Sequence, residues 1–289
     1  MNSTGKAAGT LSVGAGGGAE PRSRQSVEPR PALLDRRCGQ AAVRGLIILV
    51  VLLAWQLSPD STTMWISRPL DIVEVLWGWI VDGSLGQHLA ITLTAMLTGF
   101  VIGSMLGVAV GIFLGLTPFV ERVLSPMIIG LYSIPKIAIA PLLVILFGIG
   151  IESKIVLVAI TVFFMMMFSA LDGIRDVDRD LLGTLHQMGA SRGEVIRKVL
   201  LPGSLAWIFA GLRLSIRLAF TAAILGEIIS SNRGIGYLIE HSAVTYDSTG
   251  VFAAIAIVVF FSLMITWLVS HVETLTSRWR MDSAQTRAN

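Results

Sequence analysis

Apolar and polar residues separate along this chain in long blocks rather than residue by residue. Apolar runs lie at about 41–58, 89–116, 124–148, 154–171, 205–230 and 250–270. The last five are near or above the ~20 residues needed to cross a ~30 Å hydrocarbon core. Backbone N–H and C=O groups cannot stay unpaired in lipid, so the runs are predicted to be helices. The two-residue alternation of a membrane barrel is absent. The predicted fold is all-α, a polytopic membrane protein of about six transmembrane helices. The first run follows basic residues and could be read as a signal peptide. No small-x-small cleavage site precedes Trp55-Gln56-Leu57-Ser58-Pro59, so an uncleaved first helix is expected.

The second long run carries Gly99, Gly103, Gly107, Gly111 and Gly115, each four residues apart. Glycines at i, i+4 stack on one face and admit a neighbouring backbone. They predict a tight helix–helix seam. Between the fourth and fifth helices lies a longer polar connection, 172–204, with helical punctuation of its own. Asp178 or Asp180 caps a first short helix, and Leu181, Leu185 and Met188 form an apolar stripe on it. Gly189 supplies a stop. Ser191-Arg192-Gly193-Glu194 is a capping box opening a second helix, with Val195, Ile196, Val199 and Leu200 on its apolar side. Pro202 is expected to end that helix. The apolar side needs a partner: its own bundle, the lipid interface, or a second protein.

Composition agrees with a lipid-facing surface. Apolar residues make up 54% and charged residues 14%, against about 25% charge in soluble domains. The formal charge is +3. In a membrane chain such an excess points to basic cytoplasmic loops rather than to nucleic-acid binding. Most of the 22 Lys and Arg fall in the N-terminal tail, the 172–204 loop, the C-terminus and at Arg122. The other side holds Arg68, Lys154 and Arg233. Both termini are therefore expected in the cytoplasm. Residues 1–40, rich in Gly, Ser, Pro and Arg, are expected to be a disordered basic tail. Residues 41–84 should hold the first helix and a periplasmic segment, 85–272 the main membrane domain, and 273–289 a cytoplasmic tail. Cys38 is the sole cysteine, which leaves no disulfide framework. His88, His186, His241 and His271 lie far apart without ligand spacing, and no metal site or catalytic site is expected.

The stretch Gly189 to Pro202 resembles the signature loop of ABC importer permeases. That family's pattern is Glu-Ala-Ala, three residues, Gly, nine residues, Ile, one residue, Leu-Pro. Gly189, Leu201 and Pro202 match and Val199 replaces Ile, whereas Gly183-Thr184-Leu185 departs from Glu-Ala-Ala. His88-Leu89 with Thr92-Leu93, Ile134 to Leu142, Phe147-Gly148-Ile149-Gly150 with Ser153-Lys154, Gly211-Leu212-Arg213, Glu227, and Gly234-Ile235-Gly236-Tyr237 look like the nitrate, sulfonate and taurine branch. The resemblance covers about residues 85–272.

It implies a type I ABC importer permease fold, working as a homodimer in a bacterial inner membrane. A cytoplasmic ATPase subunit and a periplasmic solute-binding protein would be its partners. Met188, Gly189, Ala190, Ser191, Glu194 and Pro202 would form the coupling contact. The chain lacks Gly-x4-Gly-Lys-Ser/Thr, so ATP and Mg would be bound by the partner, with no cofactor in this chain. Ionisable groups in membrane helices are costly and often functional. Lys136 and Arg217 are the candidates for the substrate pathway, with guanidinium suited to a small oxyanion. Arg213 is expected to be interfacial or to brace the loop, and Glu227 to pair or cap at the dimer interface. Two other classes fit the composition: an ion-gradient-driven secondary transporter and a non-transporting membrane scaffold. The first would usually show more helices and an internal repeat, which is not found. The solute remains open among nitrate, taurine, an alkanesulfonate, bicarbonate and a thiamine-type precursor.

Overall fold

The structure is a computed structural model and describes residues 37–57 and 67–276. The expected tails therefore lie almost wholly outside the described residues. The chain divides into two units, 1–51 and 52–289. The helix α1, Arg37–Gln56, begins in the first, and its apolar part, Val43–Gln56, is shorter than a full span.

The regular elements of the second unit are all helices among its described residues. It contains α2 (Pro69–Val81), α3 (Ser84–Leu116), α4 (Pro118–Ser133), α5 (Lys136–Phe147) and α6 (Ile151–Arg175). After the polar loop, which holds α7 (Arg179–Gln187) and α8 (Arg192–Val195), come a π turn (Ile196–Leu200) and α9 (Leu201–Ile229). The helices α10 (Ile235–Val244) and α11 (Ser248–Thr276) complete the described chain. Among the described residues four helical stretches are long and apolar enough to span a membrane, and α4 with α5 can make a fifth.

That fifth span corresponds to the apolar run at 124–148, and it is broken within the run. The chain bends by 86° between α4 and α5. Pro135 is the cause, because its ring pushes Ile134 out of helical dihedrals, and Ile134 is extended with ψ 124°. Pro126 and Pro141, by contrast, are carried inside their helices.

The glycine column of α3 lies against α6. A Cβ on Gly99 would stand 2.7 Å from the Ile155 carbonyl oxygen, and one on Gly103 or Gly107 2.5 Å from that of Ala159 or Phe163. On Gly111 it would meet the Met167 carbonyl, and on Gly115 the Ile174 side chain. Contacts advance in the same direction on both helices, so α3 and α6 run parallel, with the bent α4–α5 pair returning between them. Backbone-to-backbone approach of this kind maximises dispersion where lipid provides no hydrophobic drive between helices. The tight helix–helix seam expected from the glycines is thus formed within the chain, between α3 and α6. The main core gathers Met96, Val158, Val162, Met166, Phe220, Ala223, Ile235 and Ile257 from α3, α6, α9, α10 and α11.

Candidate functional site

The polar loop is built by its own short-range chemistry. Asp178 Oδ1 accepts the Asp180 N–H at 2.8 Å, and the Asp178 carbonyl accepts that of Leu182 at 3.2 Å, which starts α7. At the other end Gly189 has φ +81°, and the Ala190 N–H reaches back to the Leu185 carbonyl at 3.0 Å. This is a Schellman stop, and its left-handed residue explains the glycine. Ser191 then forms a two-way capping box with Glu194. Ser191 Oγ accepts the Glu194 N–H, and Glu194 Oε2 accepts the Ser191 N–H at 3.1 Å. Lys198 Nζ lies 3.1 Å from Glu194 Oε1 on the next turn.

The two short helices treat their apolar residues differently. In α8 Val195 is buried, and Ile196, Val199 and Leu200 are half-buried beyond it. In α7 Leu181 is exposed and Leu185 only half-buried, while Met188 at the turn is 78% exposed. The loop thus offers a small apolar ridge, Leu181–Leu185–Met188, with the charged Ser191–Glu194–Lys198 cluster beside it.

Pro202 does not end the helix. The helical run continues from Arg192 to Ile229. A proline within a helix lacks the N–H and crowds the carbonyl four residues back. The π turn that precedes it, with the Leu201 N–H bonded to the Ile196 carbonyl, widens the backbone at that place. The second short helix, α8, and α9 are therefore one continuous rod.

The base of that rod is fixed. Gly173 of α6 abuts Ser204 and Trp207, and Trp207 Nε1 donates to Asp176 Oδ2 at 3.0 Å. Arg175 pairs with Glu121, which joins the end of α6 to the start of α4. The Trp207–Asp176 bond was missed in the sequence, where neither residue carries a motif.

At the opposite end of the bundle lies a second polar centre. Glu227 is 1% exposed. Its Oε2 accepts Thr92 Oγ1–H at 3.0 Å and the Gly236 N–H at 2.9 Å. Thr92 Oγ1 in turn accepts the Ile235 N–H at 3.0 Å, and His88 Nδ1 accepts that of Gly234 at 2.9 Å. The first turn of α10 is thereby tied to α3 and α9. Any Cβ on Gly234 would collide with the Glu227 carboxylate. Glu227 is thus held inside this chain, which corrects its expected place at a dimer interface. Lys154, 2% exposed, donates to the Gly150 carbonyl at 2.9 Å and to that of Ile149. It lies in the first turn of α6. Glu227, Lys154, Ile91, Asn232 and Arg233 are among the residues lining a cleft of about 370 Å³.

Lys136 opens α5 at the bend. Its ammonium donates to the Tyr132 carbonyl and sits 4.0 Å from the centre of the Tyr132 ring. It also borders a smaller cleft of about 190 Å³ with Thr161, Leu218 and Thr221. Arg217 lies on α9 beside that cleft's Leu218 and is exposed. Among the described residues no group of three or more His, Cys, Asp or Glu is placed to hold a metal.

Four helical stretches able to span a membrane, a bent pair that can make a fifth, and a capped helix-turn-helix at one end define a polytopic membrane protein. Residues 99–278 match the family model described as binding-protein-dependent transport system inner membrane component, and the chain belongs to this family, the ABC importer permeases. It is 32% identical over 256 residues to the riboflavin transport system permease protein RibX of Chloroflexus aurantiacus, covering 88% of this chain and 96% of that one. It is 34% identical to the Escherichia coli taurine transport system permease protein TauC, covering 64% and 67%. It is likewise 34% identical to the putative aliphatic sulfonates transport permease protein SsuC of E. coli, covering 79% and 88%. An inward-facing structure of the MetNI methionine ABC transporter shares the fold, with TM-score 0.56 and 20% identity over 70% of this chain and 98% of that one.

Proposed function

We propose that this permease subunit imports a small anionic solute of the sulfonate or taurine type across a bacterial inner membrane. Two copies of the chain form the pathway, a cytoplasmic ATPase binds ATP and Mg, and an extracytoplasmic binding protein delivers the solute. Both termini lie in the cytoplasm. The observation that carries the reading is the exposed apolar ridge at Met188 on a loop whose base is fixed. Exposed apolar surface on a capped turn that leads directly into the α8–α9 rod suits force transfer from a docked partner. In this reading Met188, Gly189, Ala190, Ser191 and Glu194 meet the ATPase, and Pro202 sets the join to α9. Arg217 and Lys136 face the pathway from α9 and α5. The extent of the RibX match favours a second reading, in which the solute is a heterocyclic vitamin or precursor.

Purification in mild detergent tests the partner, using wild type and Gly189→Trp. An ATPase that co-purifies with the first and is lost from the second supports the loop's role. No ATPase with wild type, under conditions that preserve other membrane complexes, argues for an autonomous transporter or a scaffold. ATP-driven uptake of taurine, an alkanesulfonate, nitrate and riboflavin into proteoliposomes then separates the two solute readings.

A further inference from the structure

The short helix α2 meets three environments at once. Its 13 residues make about 20 Å at 1.5 Å each, too short to cross a bilayer. At about 100° per residue its side chains sort into three sectors. Ile72, Leu76 and Trp79 form one; Ile72 is buried, and Leu76 and Trp79 pack on the main core. Leu70, Val73, Trp77, Ile80 and Val81 form a second, and all five are 54–69% exposed. Asp71, Glu74 and Gly78 fill the remaining wedge and are exposed as well, with Asp82 continuing it just past the helix.

The ends of α2 locate it in depth. Just before it, Ser67 Oγ lies 2.7 Å from Thr249 Oγ1 at the start of α11. Its C-terminus passes through Asp82 and Gly83 directly into α3, with the Ser84 N–H donating to Asp82 Oδ1 at 2.8 Å. Both α3 and α11 are membrane spans. The helix therefore bridges the starting ends of two spans, at the level where hydrocarbon gives way to water. This is the end of the bundle where Glu227 meets Thr92, opposite the 178–200 loop.

We propose that α2 is a membrane-surface helix that buries the stripe Leu70, Val73, Trp77, Ile80 and Val81 in the interfacial region of the lipid bilayer. The stripe and the acidic wedge are adjoining sectors of one helix. Only a boundary between lipid and water satisfies both while the third sector is held by protein. Tryptophan favours that boundary, where its ring is partly in hydrocarbon and its N–H reaches water. The long apolar spans on either side place a lipid surface at this depth, which selects lipid over a protein partner. The role that follows is to fix the outer ends of α3 and α11 against the bilayer while the bundle rearranges.

The test uses the full chain with Cys38→Ser, reconstituted in lipid nanodiscs, and one nitroxide-labelled cysteine at a time at positions 70, 71, 73, 74, 77, 78 and 80. Collision rates with oxygen, which concentrates in lipid, and with a water-soluble nickel chelate are compared. The expected oxygen-to-nickel ratio oscillates with the helical period, several-fold higher at 70, 73, 77 and 80 than at 71, 74 and 78. Stripe positions as open to nickel as the wedge would overturn the proposal in favour of a water-facing helix. Stripe positions shielded from both reagents would overturn it in favour of cover by a second copy or another protein. A label-free check is Trp fluorescence in brominated lipid: wild type should lose more emission than Trp77→Phe, and equal losses count against the proposal.

Discussion

At the scale of single residues, two kinds of position carry most of the specificity. The first is the glycine column. Gly107 faces backbone, which cannot step aside, so Gly107→Ala should destabilise the protein by about 1–3 kcal/mol through overpacking. Gly130 in α4 has open space around its missing Cβ, and there alanine should be neutral or stabilising by a few tenths of a kcal/mol to about 1. Thermal denaturation of the two variants in detergent, followed by loss of the monodisperse species, compares them directly. Equal melting temperatures would mean that the α3–α6 approach is looser than the structure has it. The second is Glu227. Glu227→Gln keeps an oxygen for Thr92 and Gly236, whereas Glu227→Ala leaves the Gly236 N–H buried without an acceptor and Thr92 Oγ1–H with only the His88 carbonyl at 3.2 Å. The alanine variant should lose about 2–3 kcal/mol more than glutamine, read by the same melts. Arg217 is of another kind: it supports no contact in the core, so Arg217→Gln should abolish uptake of an anionic solute while complex assembly survives. Uptake at the wild-type rate would remove it from the pathway.

At the scale of elements, the loop is legible because its rules are local. A capping box needs four consecutive residues, and a Schellman stop needs one glycine in the left-handed region. Ser191→Ala removes a cap worth about 1 kcal/mol and should loosen the start of α8. Faster amide exchange across 191–196 with unchanged exchange in α6 is the expected signature. Pro202 shows the limit of the same rules. A proline after a short helix reads as its end, yet here the π turn absorbs the defect and the helix runs on. The bend between α4 and α5 is similar. Pro135 marks an interruption in the sequence, but the angle of 86° depends on where α6 and α9 leave room for α5.

At the scale of the whole molecule, positive charge and helix order imply a topology. A reporter fused near Gly183 should read as cytoplasmic, and one inserted at Asn232, beside the Glu227 centre, as extracytoplasmic. The opposite pattern would invert the proposed import direction. Existence and approximate extent of the membrane helices follow from the sequence because hydropathy is summed over neighbours in the chain, and lipid forces every such run to satisfy its own backbone. The same holds for the loop's turn and cap. Which helix receives the α3 glycines does not follow, since a row of glycines states that something comes close and does not say what. The Glu227 centre is the clearest case. Its bonds join residues 135, 143 and 146 positions apart, along with a local bond to Gly236. Each residue is visible in the sequence as a polar group or a glycine near an apolar run. Only the packing of α3, α9 and α10 brings them together, because pairing among distant groups is decided by the competition of all helix faces for one another, and no local pattern encodes that competition.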